Sequence, residues 1–186
     1  MQRLVARTTV RAAPETAFPV LRAVEEYPRY AEHLDSVEVA DDPIDRGDGP
    51  RDEAPAGYEL RFAWWVLSYA VTTRVTAVDP PRHIAWTVTD GPDANGWWAL
   101  SSLDDDTPDG TDAATGVTLV VEYDPASVGA DALDLPALVD PGPVLARAEG
   151  LLHAEGERVV ERVVAAVEGE PRDVDLAVTV EEFEPR

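Results

Sequence analysis

Two ionisable residues near the C-terminal end of the chain have the chemistry for proton transfer. His153 gains and loses a proton near neutral pH, and Glu155 supplies a carboxylate two positions later. Both stand beside Leu152 and Gly156, on a segment whose apolar residues recur at helical spacing. An acid or base at the edge of an apolar face is what general acid–base catalysis needs, so both are catalytic candidates. The structural alternatives are a boundary histidine and a surface ion pair between Glu155 and Arg158.

A second group of candidates consists of aromatic and apolar residues that alternate along predicted strands. Every second residue of a strand lies on the same face of its sheet. An aromatic face with few polar groups is typical of pockets for small hydrophobic molecules. The candidate ligand-binding residues are Tyr58, Phe62, Trp64, Tyr69, Trp86, Trp98, Leu119, Leu152 and Gly156. A plain hydrophobic core is the alternative interpretation of these side chains.

Three further details bear on this site. A glycine inside a helix costs about 1 kcal/mol relative to alanine, so Gly156 indicates either room for a ligand or close packing against a tryptophan. Tyr69 and His33 are additional candidates for an acid or base. Trp65 and Trp97 each neighbour an inward-facing tryptophan, so they are predicted on the opposite face, where they suggest a dimer or partner surface.

The sequence contains few of the residues that bind metals or cofactors. Cysteine is absent and the three histidines are far apart, so neither a disulfide nor a zinc site is predicted. The HExxH, Walker A and GxSxG motifs are also absent. We therefore predict that the protein has no metal site and no cofactor.

The chain is strongly acidic, and its acidic residues are spread evenly along it. The chain has 37 acidic and 15 basic residues, a net charge of −22, and every basic residue is arginine. Such a coat is typical of proteins adapted to molar salt, which screens the repulsion, and it suggests a haloarchaeal host. It argues against nucleic acids and anionic membranes as partners, because their phosphates would be repelled. With neither a leader nor an apolar run long enough to span a membrane, we expect a cytoplasmic protein without membrane insertion.

Hydrophobic periodicity predicts a mixed set of elements around one core. Five strands between residues 57 and 123, joined by short turns, indicate an antiparallel meander. The other predicted elements are a strand over 2–11, helices over 14–25 and 28–33, a strand around 37–39, a helix over 143–168 and a strand around 174–180. Acidic loops are predicted over 41–56 and 104–114, and a long loop over 125–143, where a lid over the pocket is a further interpretation.

Several fragments, taken in order, resemble one superfamily. They are Ala13-Pro14-Glu15, VEEYPRY over 24–30, VTAVDPPR over 75–82, WAL over 98–100 and GVTLV over 116–120. This order and spacing resemble the START-like (SRPBCC) proteins, which include polyketide cyclases/dehydrases, coenzyme-Q-binding START proteins and plant pathogenesis-type hormone binders. The resemblance implies an α+β helix-grip fold: a curved antiparallel sheet of about six to seven strands wrapped around a long C-terminal helix, with two short helices after the first strand. Residues 1–170 would form this domain, and residues 171–186 an acidic extension that adds a strand.

Three functions are compatible with these patterns. The first is a carrier whose cavity, between the sheet and the C-terminal helix, holds a hydrophobic small molecule such as a lipid, an isoprenoid quinone or a polyketide-like compound. The second is a cyclase or dehydratase that uses a pocket acid or base. The third is an interaction domain with a collapsed cavity, in which the outward tryptophans form a homodimer or partner surface.

Overall fold

A computed structural model describes residues 1–40, 57–64, 67–103, 113–127 and 158–183. Its strands are β1 (Gln2–Val10), β2 (Leu34–Val39), β3 (Gly57–Trp64), β4 (Leu67–Asp79), β5 (His83–Asp90), β6 (Ala94–Ser102), β7 (Thr115–Tyr123) and β8 (Ala177–Glu182). Its helices are α1 (Pro14–Arg22), two short 3₁₀ helices (Val24–Arg29 and Pro125–Ser127) and a C-terminal helix over residues 158–168.

All eight strands belong to one antiparallel sheet in the order β2-β3-β4-β5-β6-β7-β1-β8. The meander predicted between residues 57 and 123 is confirmed as β3 to β7. The register shifts in the β2–β3 and β4–β5 pairs, and such irregularities increase the local twist and bend of a sheet. The helix-grip fold is confirmed, and the described residues form eight strands, of which β8 lies in the C-terminal extension where an added strand was predicted.

One face of the sheet carries the hydrophobic core. Strands β1, β5, β6 and β7 contribute apolar side chains to it, and α1 and the C-terminal helix cover them. The buried members of this cluster are Val10, Ala17, Phe18, Leu21, Ile84, Leu100, Val117, Val164 and Val167. In the helix that covers this face, Arg162 donates a hydrogen bond of 2.6 Å to the carbonyl of Tyr30, which ties the helix to the segment after α1.

The helical segment after β1 differs from the prediction at its second helix. Helix α1 ends at Arg22, and the next turn is a 3₁₀ helix over Val24–Arg29 rather than a helix over 28–33. Its bonds run from Glu26 N–H to the Ala23 carbonyl (3.0 Å) and from Tyr30 N–H to the Tyr27 carbonyl (2.9 Å). Proline lacks an N–H, so Pro28 is tolerated here because the surrounding bonds do not need it as a donor.

The Glu168 carboxylate joins the end of the C-terminal helix to β1 and the residue after it. Glu168, whose side chain is 5% exposed, accepts hydrogen bonds from the Arg11 backbone N–H (2.7 Å) and from the Arg172 guanidinium (2.8 Å twice). Arg172 also donates to the Thr9 carbonyl at 2.8 Å. The hydrogen bonds from Arg172 lower the pKa of Glu168, with a smaller contribution from the Arg11 N–H.

We expect Glu168→Gln to lower the free energy of unfolding by about 2 kcal/mol at pH 7. Because folding lowers the pKa of Glu168, its ionisation stabilises the fold above the usual carboxyl range, and this stabilisation is lost as the pH falls through the lowered pKa. Urea titration at constant KCl should therefore show the difference at pH 7 and a smaller one in acid. Exposed Glu170 is the control, and Glu170→Gln should change stability by less than about 0.5 kcal/mol. An equal loss in both variants would contradict this role for Glu168.

Candidate functional site

The strand register collects most of the predicted aromatic residues on one face. Cross-strand partners share a face, and Trp98 pairs with Ile84 and Leu119 while Trp86 pairs with Val75. Because Ile84 belongs to the core cluster, this is the face toward the helices. The six candidates that the register places there are Tyr58, Phe62, Tyr69, Trp86, Trp98 and Leu119.

Of the remaining candidates, only the strand position of Trp64 is described. Trp64 pairs with Leu67 at the end of the β3–β4 hairpin. The candidates of the predicted helix over 143–168, Leu152, His153, Glu155 and Gly156, lie outside the described residues, as does Trp65. Most of the 125–143 segment also lies outside them, so its interpretation as a lid stays a prediction.

The helix-facing face has a closed end and a more accessible end. At the closed end, Leu100 and Val117 are 4% and 6% exposed beneath Phe18 of α1 and Val164 of the C-terminal helix. Elsewhere on the same face the side chains of Phe62, Tyr69, Trp86, Trp98 and Leu119 remain partly exposed. Apart from Tyr58, which is 9% exposed, the aromatic candidates on this face are thus less covered than the core beside them.

Tyr27 lies beside the aromatic candidates and is not among the residues that the sequence singles out. Its hydroxyl donates a 2.5 Å hydrogen bond to the Leu21 carbonyl and accepts one from the Trp98 side chain. Burial raises the pKa of Tyr27 well above its usual value, so the phenol stays protonated. In the sequence, Tyr27 is visible only as part of the VEEYPRY fragment, which gives no sign of its contact with Trp98. Tyr27 thus joins the segment after α1 to β6 through Trp98.

Phe62 and Tyr69 form a stacked pair across β3 and β4. Their ring centroids are 5.1 Å apart and their planes are inclined by 19°. Burial raises the pKa of Tyr69, which therefore remains a protonated hydrogen-bond donor. No residue in the described ranges hydrogen-bonds the Tyr69 hydroxyl. This pair presents a flat aromatic surface with one polar tip.

Tyr58 lies where charged residues of the α1 region meet the sheet. Its side chain is 9% exposed, and burial raises its pKa, with a further contribution from the Glu25 carboxylate and an opposing one from Arg22. The 3₁₀ helix that begins at Val24 packs beside β2, next to Tyr58 in β3. Tyr58 therefore marks a polar rim of the aromatic face.

The Trp86 indole lies over a residue of the neighbouring strand that has no side chain. It pairs with Gly96 of β6, and a Cβ atom built on Gly96 would lie 2.5 Å from Cζ2 of Trp86. The same Cβ would lie 2.5 Å from the Val120 carbonyl oxygen. Contacts this short are forbidden, so the indole covers Gly96 directly and only glycine fits beneath it.

The opposite face of the sheet carries Trp97 and a polar network. Trp97 pairs with Val120 and Ala85 and is partly buried. Nearby, the Arg3 guanidinium contacts Glu122 at 2.5 Å, and Asn95 donates to the same carboxylate at 3.2 Å. Trp97 thus faces away from the aromatic candidates, as predicted, and its role in a homodimer stays a prediction.

A cleft of 390 Å³ beside the C-terminal helix is a poorer candidate site. It is lined by Glu161, Arg162, Ala165, Pro171, Arg172 and Asp173. Its two guanidinium groups already donate to the Tyr30 and Thr9 carbonyls, so they serve the fold. In the parts of the chain that the structure covers, no three histidine or acidic side chains converge to hold a metal ion. Among the helices described, none is long and apolar enough to cross a membrane.

Comparisons with known proteins are consistent with this architecture. A family model described as polyketide cyclase / dehydrase and lipid transport matches residues 10–138. The Zhui aromatase/cyclase from Streptomyces sp. R1128 is similar in structure, with a TM-score of 0.55, 20% identity and coverage of 90% of this chain and 94% of its own. A START superfamily protein from Mycobacterium smegmatis has a TM-score of 0.56 at 17% identity, with coverage of 89% and 99%.

A two-domain aromatase/cyclase, StfQ of the steffimycin biosynthetic pathway, is also similar. Its TM-score is 0.56 at 18% identity, over 88% of this chain, which spans only 44% of the StfQ chain. At these identities the likeness to the solved structures shows the fold alone. No functionally curated protein matches the chain significantly in sequence.

Proposed function

The chain belongs to the polyketide cyclase / dehydrase and lipid transport family, and from this premise we propose that it binds a hydrophobic small molecule against the helix-facing side of its sheet. The ligand class is the one inferred from the sequence: a lipid, an isoprenoid quinone or a polyketide-like compound. The aromatic residues of β3 to β6 would form one wall of the site, and Leu119 of β7 would extend it.

The observation that carries this proposal is the uneven covering of one continuous apolar face. The helices bury Leu100 and Val117, whereas Phe62, Tyr69 and Trp86 on the same face stay partly exposed. Partly exposed aromatic rings gain free energy when a ligand removes them from water. A ligand that buries about 300 Å² of apolar surface gains about 7 kcal/mol before the entropic cost of association.

The test is to purify the protein in molar KCl, extract it with organic solvent and quantify the extract by mass spectrometry. The wild-type protein should yield about one apolar molecule per chain. Leu119→Trp fills the helix-facing wall and should reduce the yield at least about tenfold, because a large ring occupies the space of the ligand.

Thr118→Trp is the matched control, because Thr118 is the neighbouring residue of β7 and faces the opposite side of the sheet. It should carry as much ligand as the wild type. Circular dichroism and melting curves must show that both variants are folded. Equal yields from the two tryptophan variants, or a wild-type extract without a stoichiometric apolar compound, would contradict the proposal.

A cyclase-type enzyme is the second candidate function. It requires a proton donor or acceptor that reaches the ligand, and Tyr69 is a candidate with a protonated hydroxyl on the proposed wall. Tyr27 is less suited to this task, since its hydroxyl is engaged by Leu21 and Trp98. Binding without turnover needs fewer groups, and we therefore propose the carrier role first.

A further inference from the structure

We propose that the Tyr69 hydroxyl donates a hydrogen bond to an oxygen acceptor on the bound molecule, so that the site prefers oxygenated ring systems over hydrocarbons of the same shape. This inference rests on the proposed ligand-binding function and adds a chemical requirement to it. The ligand would place a flat ring near the Phe62–Tyr69 pair and a carbonyl or similar oxygen at the tip of Tyr69.

The stacked geometry holds the Tyr69 ring in place. Phe62 and Tyr69 are directly opposite in the β3–β4 ladder, and their rings lie nearly parallel with centroids 5.1 Å apart. Leu34, which is 5% exposed, pairs with Phe62 from the other side in β2. A ring fixed by two neighbouring strands carries its hydroxyl at a defined position, as a specific hydrogen bond requires.

The hydroxyl of Tyr69 differs from those of the tyrosines that support the fold. Tyr27 donates to the Leu21 carbonyl at 2.5 Å, and Tyr123 donates to the Gln2 side-chain oxygen at 2.7 Å. For Tyr69, no partner lies among the residues that the structure describes. Tyrosine hydroxyls in apolar surroundings normally have a hydrogen-bond partner, and a ligand oxygen would supply one here.

Protonation and environment suit Tyr69 to act as a donor. Desolvation raises its pKa, so the group carries its proton throughout the neutral range. A bound ligand removes water from the Tyr69 hydroxyl. This desolvation costs free energy unless the ligand accepts a hydrogen bond in place of the water. A ligand with an acceptor oxygen should therefore bind more tightly than a ligand of the same shape that lacks one.

The experiment compares two probes that share a tricyclic skeleton, fluorene and 9-fluorenone, of which only the ketone has an acceptor oxygen. Equilibrium dialysis against the full chain in molar KCl gives the affinity of each probe. Tyr69→Phe should weaken 9-fluorenone about tenfold and should not weaken fluorene, because one hydrogen bond to the ketone is removed without changing the ring and no unmatched hydroxyl is left against fluorene. Tyr123→Phe is the control, since its hydroxyl has a partner within the protein, and it should change neither affinity.

The outcomes separate this inference from the function on which it rests. If the wild type binds both probes and Tyr69→Phe changes neither affinity, the hydrogen bond is refuted while the hydrophobic site stands. An equal loss for the two probes would also refute it, since that result indicates a packing role for Tyr69. If the wild type binds neither probe, both the ligand-binding proposal and this inference are overturned.

Discussion

Gly96→Ala will lower the free energy of unfolding by about 3 kcal/mol, one of the two largest effects that we expect for this protein. The added methyl group meets Trp86 on one side and the Val120 carbonyl oxygen on the other, each at 2.5 Å. The indole could turn away, but the carbonyl belongs to the backbone of β7. The strand pair β6–β7 must therefore separate locally, whether or not Trp86 leaves its place.

Urea or thermal unfolding in molar KCl measures this loss. Gly57→Ala is the matched control, because Gly57 also lies in a strand of the same sheet and its added Cβ would be 3.4 Å from the nearest atom, the Cβ of Ala40. That control should change stability by less than about 0.5 kcal/mol. If both variants were equally stable, the Trp86 ring would not lie over Gly96.

Withdrawal of salt will lower the melting temperature by at least about 10 °C between about 3 M and about 0.1 M KCl. The net charge of −22 is spread over the whole chain. Folding brings these carboxylates closer together than they are in the unfolded chain, so their mutual repulsion destabilises the folded state. At about 3 M KCl the screening length is below 3 Å, and at about 0.1 M it is near 10 Å, long enough for neighbouring carboxylates to repel one another.

Calorimetry at a series of KCl concentrations gives the melting temperatures. Sucrose is the control, because it strengthens burial by exclusion from the protein surface but does not screen charge. Sucrose should recover only a small part of the stability lost on dilution. A melting temperature that does not depend on KCl would contradict both the electrostatic argument and the halophilic origin that the composition suggests.

The face of each central strand could be predicted from the sequence because alternation is a local property. Phe62 and Tyr69 were assigned to one face from their strand positions, and the β3–β4 register pairs them directly. Trp97 and Trp98 were assigned to opposite faces in the same way, and their cross-strand partners are Val120 and Leu119. Period-two patterns of this kind need no knowledge of the tertiary structure.

Contacts between distant segments could not be predicted in this way. The segment GPDANG over 91–96 is rich in residues that favour turns, whereas Asn95 and Gly96 lie inside β6. There Gly96 lies beneath the indole of Trp86, a tertiary contact that local sequence does not show. The contact of Tyr27 with Trp98 likewise depends on how the segment after α1 packs on the sheet.

The position of β1 between β7 and β8 has a consequence for biosynthesis. Strand β1 is made early, yet its neighbours come from far along the chain, as Arg3 and Glu122 are 119 positions apart. Non-local pairing of this kind slows folding, because the loop must close before the contacts are gained. While the ribosome is still translating the middle of the chain, both edges of β1 lack their final partners. We therefore expect β1 to pair with its neighbours late, after β7 has left the ribosome. Until then, the charged residues Arg3 and Arg7 of β1 should disfavour non-native pairing of its exposed edges.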